Sequence, residues 1–148
     1  MNKQIITTDE AAAAVGPYSQ AVCAGDFVFT AGQIGLDPAT GKLVGEDVTS
    51  QTRRALQNLE AILEAAGSCM RHAVKTTVYL ADIADFGAMN AVYAEFFPAD
   101  EDPPARATLQ AAALPLGARV EIEVVAEACA CDHDGKDDRG EECQCHCS

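Results

Sequence analysis

Residues 48–80, VTSQTRRALQNLEAILEAAGSCMRHAVKTTVYL, contain the clearest periodic pattern in the chain. In the first half, apolar and small side chains recur at steps of one, three or four, which places them along one stripe of an α-helix. Asp47 or Thr49 is suited to cap the start of this helix, and Gly67 is suited to end it. Residues 73–80 are rich in β-branched side chains. The pattern therefore predicts a helix followed by a strand.

The flanking sequence predicts a second helix and further strands. Asp85 is suited to cap a shorter helix that Pro98 stops. Residues 26–30 combine aromatic and β-branched side chains and predict a strand, and residues 105–112 predict another. The last strand alternates in polarity, and its inward positions are Val120, Ile122, Val124 and Ala126.

The order of these elements decides which faces of the sheet can be covered. The predicted order along the chain is strands, helix, strand, helix, strand and strand. Two helices can cover only one face of a sheet. Alternation places Phe29, Thr77 and Tyr79 on the other face if Val28 and Val78 point toward the helices. That other face must be polar or buried by further copies of the chain, and its apolar members favour association.

Composition and charge restrict the class of protein. The 148 residues are 49% hydrophobic and 22% charged, which is typical of a globular domain, and we expect one domain over residues 1–128. The formal net charge of -13 repels phosphate and argues against nucleic acid or an anionic membrane as the main partner. No apolar stretch of transmembrane length and no signal-peptide pattern occurs in the sequence, so we expect a cytoplasmic protein.

Arg106 is the first candidate for a functional residue, because the common phosphate-loop, serine-nucleophile and zinc-protease motifs are missing from the sequence. It is the only charged residue between Pro104 and Arg119, within an otherwise apolar strand. Its guanidinium must pair with a carboxylate, reach solvent or bind an anion, and its planar shape suits a carboxylate. The acidic residues 100–102 offer an ordinary ion-pair partner as the alternative.

Glu121 and Glu123 lie on the face of the last strand that association would cover. A partly buried carboxyl group has a raised pKa and can act as a general acid or base. The alternative is a solvated strand face without a chemical role. We interpret His72 as a surface residue, and Cys23 and Cys69 as small core or surface residues.

Seven short motifs, taken together, resemble the sequence patterns of the RidA/YjgF family of reactive-intermediate deaminases. The resemblance runs through residues 3–128, with the motifs in order and at the spacing of the family. In chain order they are GPYSQA at 16–21, FTAGQI at 29–34, NLEAILEAAG at 58–67, VKTTVYL at 74–80, MNAVY at 89–93, PAR at 104–106 and LPLGARVEIE at 114–123.

The resemblance implies an α+β fold of the two-layer, chorismate-mutase-like kind, in which a mixed β-sheet carries two helices on one face. It implies a homotrimer with a site in each cleft between subunits. It also implies hydrolysis of small 2-imino acids and their enamine forms, such as 2-iminobutanoate, 2-iminopropanoate and 2-aminoacrylate, to 2-keto acids and ammonia. No cofactor takes part in such a reaction.

The resemblance also assigns expected roles to individual residues. Arg106 corresponds to the family's carboxylate-binding arginine, and Glu121 corresponds to the glutamate that positions or activates water. Ala31 stands where the family often carries Ser, which removes one possible hydroxyl contact to the ligand. Thr108 stands where many members carry Cys, which affects substrate preference more than the reaction. Other positions expected to line the pocket are Tyr18, Gly32 and Asn90.

Residues 129–148 lie outside the resemblance and form an acidic tail rich in cysteine and histidine. Thiolates at this density suit Zn²⁺ or Cu⁺, so one prediction for the tail is a metal site. The alternative is a flexible tail whose cysteines oxidise, because the spacing differs from that of ordinary zinc sites. The candidate ligands are Cys129, Cys131, His133, Cys143, Cys145 and Cys147.

Two other interpretations of the function stand beside the deaminase. The first is a non-catalytic member of the same fold that binds a small acid and has a regulatory role. Arg106 argues against it, because members of that kind typically lack the arginine. The second places the main function in the tail, as a metal-handling or redox module on an inert scaffold.

Overall fold

The computed structural model describes residues 2–129. Within them, strands and helices follow one another in the order strand, strand, strand, helix, strand, helix, strand, strand. The strands are β1 (Lys3–Ile6), β2 (Ala21–Ala24), β3 (Phe27–Thr30), β4 (Ala73–Leu80), β5 (Ala105–Gln110) and β6 (Val120–Glu127), and the helices are α1 (Val48–Ala65) and α2 (Phe86–Phe96).

The strands of the described residues form one mixed six-stranded sheet in the order β1-β2-β3-β6-β4-β5. β4 and β5 are parallel, and every other pair of neighbouring strands is antiparallel. A parallel pair needs a long crossover connection, and α2 supplies it here. The last strand, β6, lies in the middle of the sheet. The two-layer α+β architecture that the sequence predicted is confirmed.

Both helices cover the same face of the sheet, and the core lies between the two layers. Leu56, Leu59 and Ile62 of α1 are fully buried there, as is Ile122 of β6. Removing one such side chain from water contributes about 1.5–3 kcal/mol, so the apolar stripe of α1 anchors the helix to the sheet.

Helix α1 begins and ends where the sequence predicted. Asp47 is its N-cap, and the carboxylate accepts a hydrogen bond from the backbone N–H of Ser50 at 2.8 Å. After the helix, Gly67 has a φ of +73°, and the N–H of Ser68 donates to the carbonyl of Leu63 at 2.8 Å. Glycine adopts this left-handed conformation without steric penalty, so the chain can turn back toward β4.

Asp85 is the N-cap residue of α2 as predicted, but its side chain does not cap the helix. Its side chain makes no capping hydrogen bond, and its carboxylate pairs with Arg119 at 3.3 Å instead. A 3-10 turn, Ile83–Asp85, precedes α2, and Asp82 caps that turn by accepting a hydrogen bond from the N–H of Ala84 at 2.9 Å. Because the turn brings the chain into a nearly helical conformation before α2 starts, the side-chain cap lies one turn earlier, at Asp82.

The strand predictions are confirmed for the second half of the chain and incomplete for the first. β3, β4 and β6 match their predicted ranges closely, and β5 ends at Gln110, before the predicted end at residue 112. β1 and β2 were not predicted, because four-residue strands contain too few positions for an alternating pattern.

The face of the sheet opposite the helices, called the open face below, carries apolar side chains that the described chain does not cover. Val28 and Val78 are buried toward the helices, as predicted. On the open face, Phe29 is 46% exposed and Leu109 is 43% exposed. Tyr79 is half-buried and is the register partner of Leu109. Large exposed apolar side chains on an uncovered sheet face are typical of an interaction site.

Candidate active site

Glu121 of β6 lies on the open face, next to the loop that follows β3. The N–H of Gln33 donates to the carbonyl of Ile122 at 2.8 Å, and the N–H of Ile122 donates back to the carbonyl of Gln33 at 3.0 Å. This pair of bonds holds Gly32 against the Glu121 carboxyl group. A methyl group on Gly32 would lie 2.9 Å from Glu121 Cδ and still nearer to Oε1. Glycine is therefore required for this position of the carboxyl group.

Glu121 and Gly32 border a cavity of about 470 Å³. Its walls are mainly apolar, and Glu121 is the only carboxylate among the described residues that line it. A cavity of this size and character suits a small organic molecule that a few polar groups orient. Other lining residues are Tyr18, Ala31, Pro115 and Leu116.

The surroundings of Glu121 favour its neutral form. Burial raises the pKa of Glu121 above the ordinary value of 4.5, and the negative charge of Glu123 raises it further. Tyr79 donates a hydrogen bond from its hydroxyl to Glu123 Oε1 at 3.4 Å, so the second carboxylate has its own partner. A carboxyl group with a raised pKa is a stronger base when ionised and is suited to accept and return a proton.

Tyr18 and Leu116 form part of the rim of the cavity. The N–H of Val15 donates to the Tyr18 hydroxyl at 3.4 Å, which directs the ring along the rim. Leu116 has a φ of 56° and is 70% exposed. A leucine in the left-handed region is strained, and such strain concentrates at functional sites. Leu116 was not predicted as a site residue, because the flanking Pro115 and Gly117 indicate only a turn in the sequence.

Arg106 lies on β5, beneath α2. Its guanidinium donates a hydrogen bond to Asn90 Oδ1 at 2.7 Å, and its Cζ lies 4.6 Å from the centroid of the Tyr93 ring and 5.4 Å from that of Phe86. Cation–π contacts hold a guanidinium without neutralising it. In the described part of the chain no carboxylate pairs with Arg106, so the ion-pair alternative with residues 100–102 is wrong.

A residue of the sheet holds the hydroxyl group of Tyr93 in place. Its hydroxyl oxygen lies 2.7 Å from Thr76 Oγ1 in a buried hydrogen bond that ties α2 to β4. Burial raises the pKa of Tyr93 above 10.0, while the Thr76 hydrogen bond and the charge of Arg106 act in the opposite direction. The Tyr93 ring is therefore a fixed, neutral surface against which the Arg106 guanidinium rests.

Arg106 and Glu121 point to opposite faces of the sheet within one chain. Arg106 is the register partner of Thr76, and Glu121 is the register partner of Tyr79. Register partners share a face, and side chains an odd number of residues apart along a strand point to opposite faces. Thr76 is buried under α2, so Arg106 lies on the helix side and Glu121 on the open face.

The predicted site residues therefore form two groups that one chain does not bring together. One group borders the cavity and contains Tyr18, Ala31, Gly32 and Glu121. The other group lies on or beside β5 on the helix side and contains Arg106, Asn90 and Thr108.

The predicted metal ligands of the tail lie, with one exception, outside the described residues. Cys129 is the last residue that the structure describes, and its Sγ lies 3.4 Å from His72 Nδ1. Within residues 2–129 no group of three or more His, Cys, Asp or Glu side chains could hold a metal ion. The residues that fall outside are Cys131, His133, Cys143, Cys145 and Cys147.

Known proteins with similar sequences and structures show which family the chain belongs to. The profile of the family described as Endoribonuclease L-PSP matches residues 8–128. Reactive Intermediate Deaminase A, chloroplastic, of Arabidopsis thaliana is 50% identical over 126 residues, which are 85% of this chain and 66% of that protein. The chain belongs to the RidA/YjgF family.

Two further proteins resemble the chain along nearly their whole length. The 2-iminobutanoate/2-iminopropanoate deaminase of Mus musculus is 49% identical over 124 residues, which are 84% of this chain and 90% of that protein. The crystal structure of E. coli TdcF with bound serine superposes with a TM-score of 0.79 at 42% identity, covering 84% of this chain and 98% of that one.

The cellular location stays a prediction. In the part of the chain that the structure describes, no helix is both long and apolar enough to cross a membrane. The name of the Arabidopsis relative describes it as chloroplastic, which does not support the predicted cytoplasmic location.

Proposed function

We propose that the chain is a hydrolytic deaminase that converts small 2-imino acids, and the enamines in equilibrium with them, to 2-keto acids and ammonia without a cofactor. The observation that carries this proposal is the Glu121 carboxyl group, which is held against Gly32 in a small and mainly apolar cavity. The relative named as a 2-iminobutanoate/2-iminopropanoate deaminase supports this class of reaction. The relative with bound serine supports a ligand of amino-acid size.

The proposed chemistry needs only one proton-transferring group. The Arg106 guanidinium binds the substrate carboxylate and so orients C2 of the protonated imine, which is already electrophilic. Glu121 accepts a proton from water as the water oxygen bonds to C2, which gives a carbinolamine. Glu121 returns that proton to the amino nitrogen. As the C–N bond breaks, Glu121 takes the proton of the carbinolamine hydroxyl group and passes it to the leaving ammonia, so that the keto acid and ammonium leave and Glu121 is ionised again. The overall reaction is balanced, because one iminium ion and one water molecule give one keto acid and one ammonium ion.

The proposed site requires two copies of the chain, because Arg106 and Glu121 lie on opposite faces of one sheet. We propose that the open faces of three subunits meet in a homotrimer, and that Arg106 of one subunit faces the cavity of the next. The exposed Phe29 and Leu109 supply apolar surface for such an interface. Arg106 has no carboxylate partner in the described chain and can therefore take one from a substrate.

The charge of the chain favours this proposal over the ribonuclease activity that the family description names. A net charge of -13 repels an RNA backbone, and the single carboxylate in the cavity adds to that repulsion. A small carboxylic acid needs only one matched cation, and Arg106 supplies it.

The direct test is the rate of keto-acid formation from 2-iminobutanoate and 2-iminopropanoate, generated in situ by a threonine or serine dehydratase. We expect acceleration by the wild-type chain and its loss in Arg106→Ala. Arg53→Ala is the matched control, because Arg53 pairs with Glu95 on the outer surface of the helices. Full activity of Arg106→Ala would contradict the proposed role. Inactivity of the folded wild type would favour the non-catalytic alternative.

A mixing experiment tests whether each site uses two subunits. Arg106→Ala and Glu121→Gln should each be inactive alone, and their co-expression should restore activity in mixed oligomers. In a random trimer with equal amounts of the two chains, about a quarter of the clefts receive an intact Arg106 from one chain and an intact Glu121 from the other. If the mixture stays inactive although mixed trimers are present, the two residues do not act across the interface.

A further inference from the structure

We propose that Asn58 is a positioning residue that fixes one apolar wall of the candidate active site and thereby sets which substrate side chains the site prefers. The inference rests on the proposed deaminase function and names a determinant of its specificity. Asn58 lies on α1, is fully buried and does not itself line the cavity. It acts through residues 31–36, called the cavity loop below, which follow β3 and carry Gly32.

The cavity loop supplies part of the wall that a substrate side chain meets. In the proposed reaction, the substrate carboxylate binds Arg106 of the neighbouring subunit, and C2 faces the Glu121 carboxyl group. The remaining part of a small 2-imino acid is its aliphatic side chain, which gains free energy from contact with apolar walls. The cavity loop contributes two large aliphatic residues to those walls, Ile34 and Leu36.

Asn58 fastens the end of the cavity loop to α1. Its Nδ2 donates a hydrogen bond to the carbonyl oxygen of Leu36 at 2.9 Å, and the carbonyl oxygen of Ile34 lies 3.5 Å from the same nitrogen. The backbone hydrogen bonds of Gln33 fasten the first half of the loop to β6. The positions of Ile34 and Leu36 relative to Glu121 therefore depend on both attachments.

The cavity loop also packs directly on the backbone of α1 at Gly35. A Cβ at this position would lie 2.6 Å from Cα of Gln51 and 2.7 Å from the carbonyl oxygen of the same residue. Glycine thus allows the close approach that brings the Leu36 carbonyl within reach of the Asn58 amide. Because the apolar stripe of α1 is anchored in the core, the helix gives the loop a fixed support.

Arg54 fixes the orientation of the Asn58 amide from one turn earlier on α1. Its Nε and Nη2 donate to Asn58 Oδ1 at 3.0 Å and 2.7 Å. A guanidinium can only donate, so the amide oxygen faces Arg54 and the amide nitrogen faces the Leu36 carbonyl. Hydrogen bonds from a charged donor are stronger than those between neutral groups. Arg54 has no carboxylate partner among the described residues, so its guanidinium is free to serve this role.

The test is the ratio of kcat/KM for 2-iminobutanoate to kcat/KM for 2-iminopropanoate, which differ by one methylene group. The ratio does not depend on how much of a variant is folded. Asn58→Asp keeps the shape and the contact with Arg54 but loses the donor to Leu36. We expect it to change the ratio by about tenfold, since one methylene in an apolar pocket changes kcat/KM by about 10–200-fold.

Variants of two adjacent arginines extend the test if Asn58→Asp does not fold. Arg54 is half-buried, and Arg54→Met keeps its aliphatic part while it removes the donors that orient the amide. It should change the ratio in the same direction as Asn58→Asp, and Arg54→Lys should restore much of the wild-type ratio. Arg53→Met is the matched control, because Arg53 pairs with Glu95 at 2.7 Å on the outer surface and should keep the wild-type ratio.

Amide hydrogen exchange of residues 31–36 gives a second readout that needs no activity. Exchange should be about tenfold faster in Asn58→Asp and Arg54→Met than in the wild type and Arg53→Met, because one attachment of the loop is lost. Wild-type exchange or a wild-type ratio in both variants would overturn the inference and leave the deaminase function in place. A wild type that accelerates neither substrate would instead contradict the deaminase function, and the specificity role with it.

Discussion

Gly32 approaches the Glu121 carboxyl group so closely that a methyl group in its place would lie 2.9 Å from Cδ. The carboxyl group would have to move aside, since backbone bonds between Gln33 and Ile122 hold the loop against β6. We therefore expect Gly32→Ala to lower kcat/KM for a 2-imino acid by about 10²-fold, because a shift of about 1 Å at a reacting group has that effect. Steady-state keto-acid formation measures it.

Gly87→Ala is the matched control for that substitution. A Cβ on Gly87 meets nothing within 4 Å, and the residue lies in the first turn of α2, so activity should stay at the wild-type level. Full activity of Gly32→Ala with an unchanged fold would show that the exact position of the Glu121 carboxyl group does not matter.

The ring and the hydroxyl group of Tyr93 have separate effects. Tyr93→Phe leaves the buried Thr76 hydroxyl without its partner and should lower the free energy of unfolding by about 1–3 kcal/mol, measured by denaturant titration. The ring stays beneath Arg106, so KM should change little. Tyr93→Leu also removes the cation–π contact and should raise KM clearly more. Equal KM values for the two variants would argue against a positioning role for the ring.

At the level of the elements, α1 depends on its N-cap. The hydrogen bond from the backbone N–H of Ser50 lowers the pKa of Asp47 below the ordinary 3.8, and a hydrogen bond from the Ser50 side chain lowers it further. A lowered folded-state pKa stabilises the fold above pH 3.8, and this contribution is lost as the pH falls through the folded-state value. Asp47→Ala should therefore lower Tm at neutral pH, and the difference from the wild type should shrink in acid.

Asp47→Asn separates the hydrogen bond of the cap from its charge. Asparagine caps a helix through its amide oxygen and does not titrate, so the Tm difference between Asp47→Asn and Asp47→Ala should be independent of pH. Thermal melts followed by circular dichroism between acidic and neutral pH measure both differences. A wild-type advantage over Asp47→Ala that grows in acid would contradict the assigned cause.

At the level of the whole molecule, the proposal that the open face forms the trimer interface makes a prediction about assembly. Phe29→Asp introduces a charge into the centre of the proposed interface and should convert trimers of the 15.5 kDa chain to monomers, with loss of deaminase activity. Val44→Asp is the control, because Val44 is 42% exposed but lies in a loop outside the open face. Light scattering after size exclusion measures the mass. A Phe29→Asp variant that remains an active trimer would contradict this placement of the interface.

Local periodicity predicted the two helices and the longer strands, because their side chains alternate between core and solvent at regular steps. It did not predict β1 and β2, whose four residues depend on pairing with strands already in the sheet. The sequence placed Asp85 correctly before α2, but it did not reveal that a 3-10 turn begins earlier and is capped by Asp82 instead.

The sequence by itself determined the layers of the fold, the faces of β6, the charge of the molecule and, through its motifs, the family. Only the tertiary structure decided that Glu121 lies against Gly32 in a cavity, and that Arg106 rests on Tyr93 on the other side of the sheet. Only the tertiary structure placed His72 beside Cys129. These arrangements depend on register and packing between segments far apart in the chain, and such long-range pairing leaves no local pattern in the sequence.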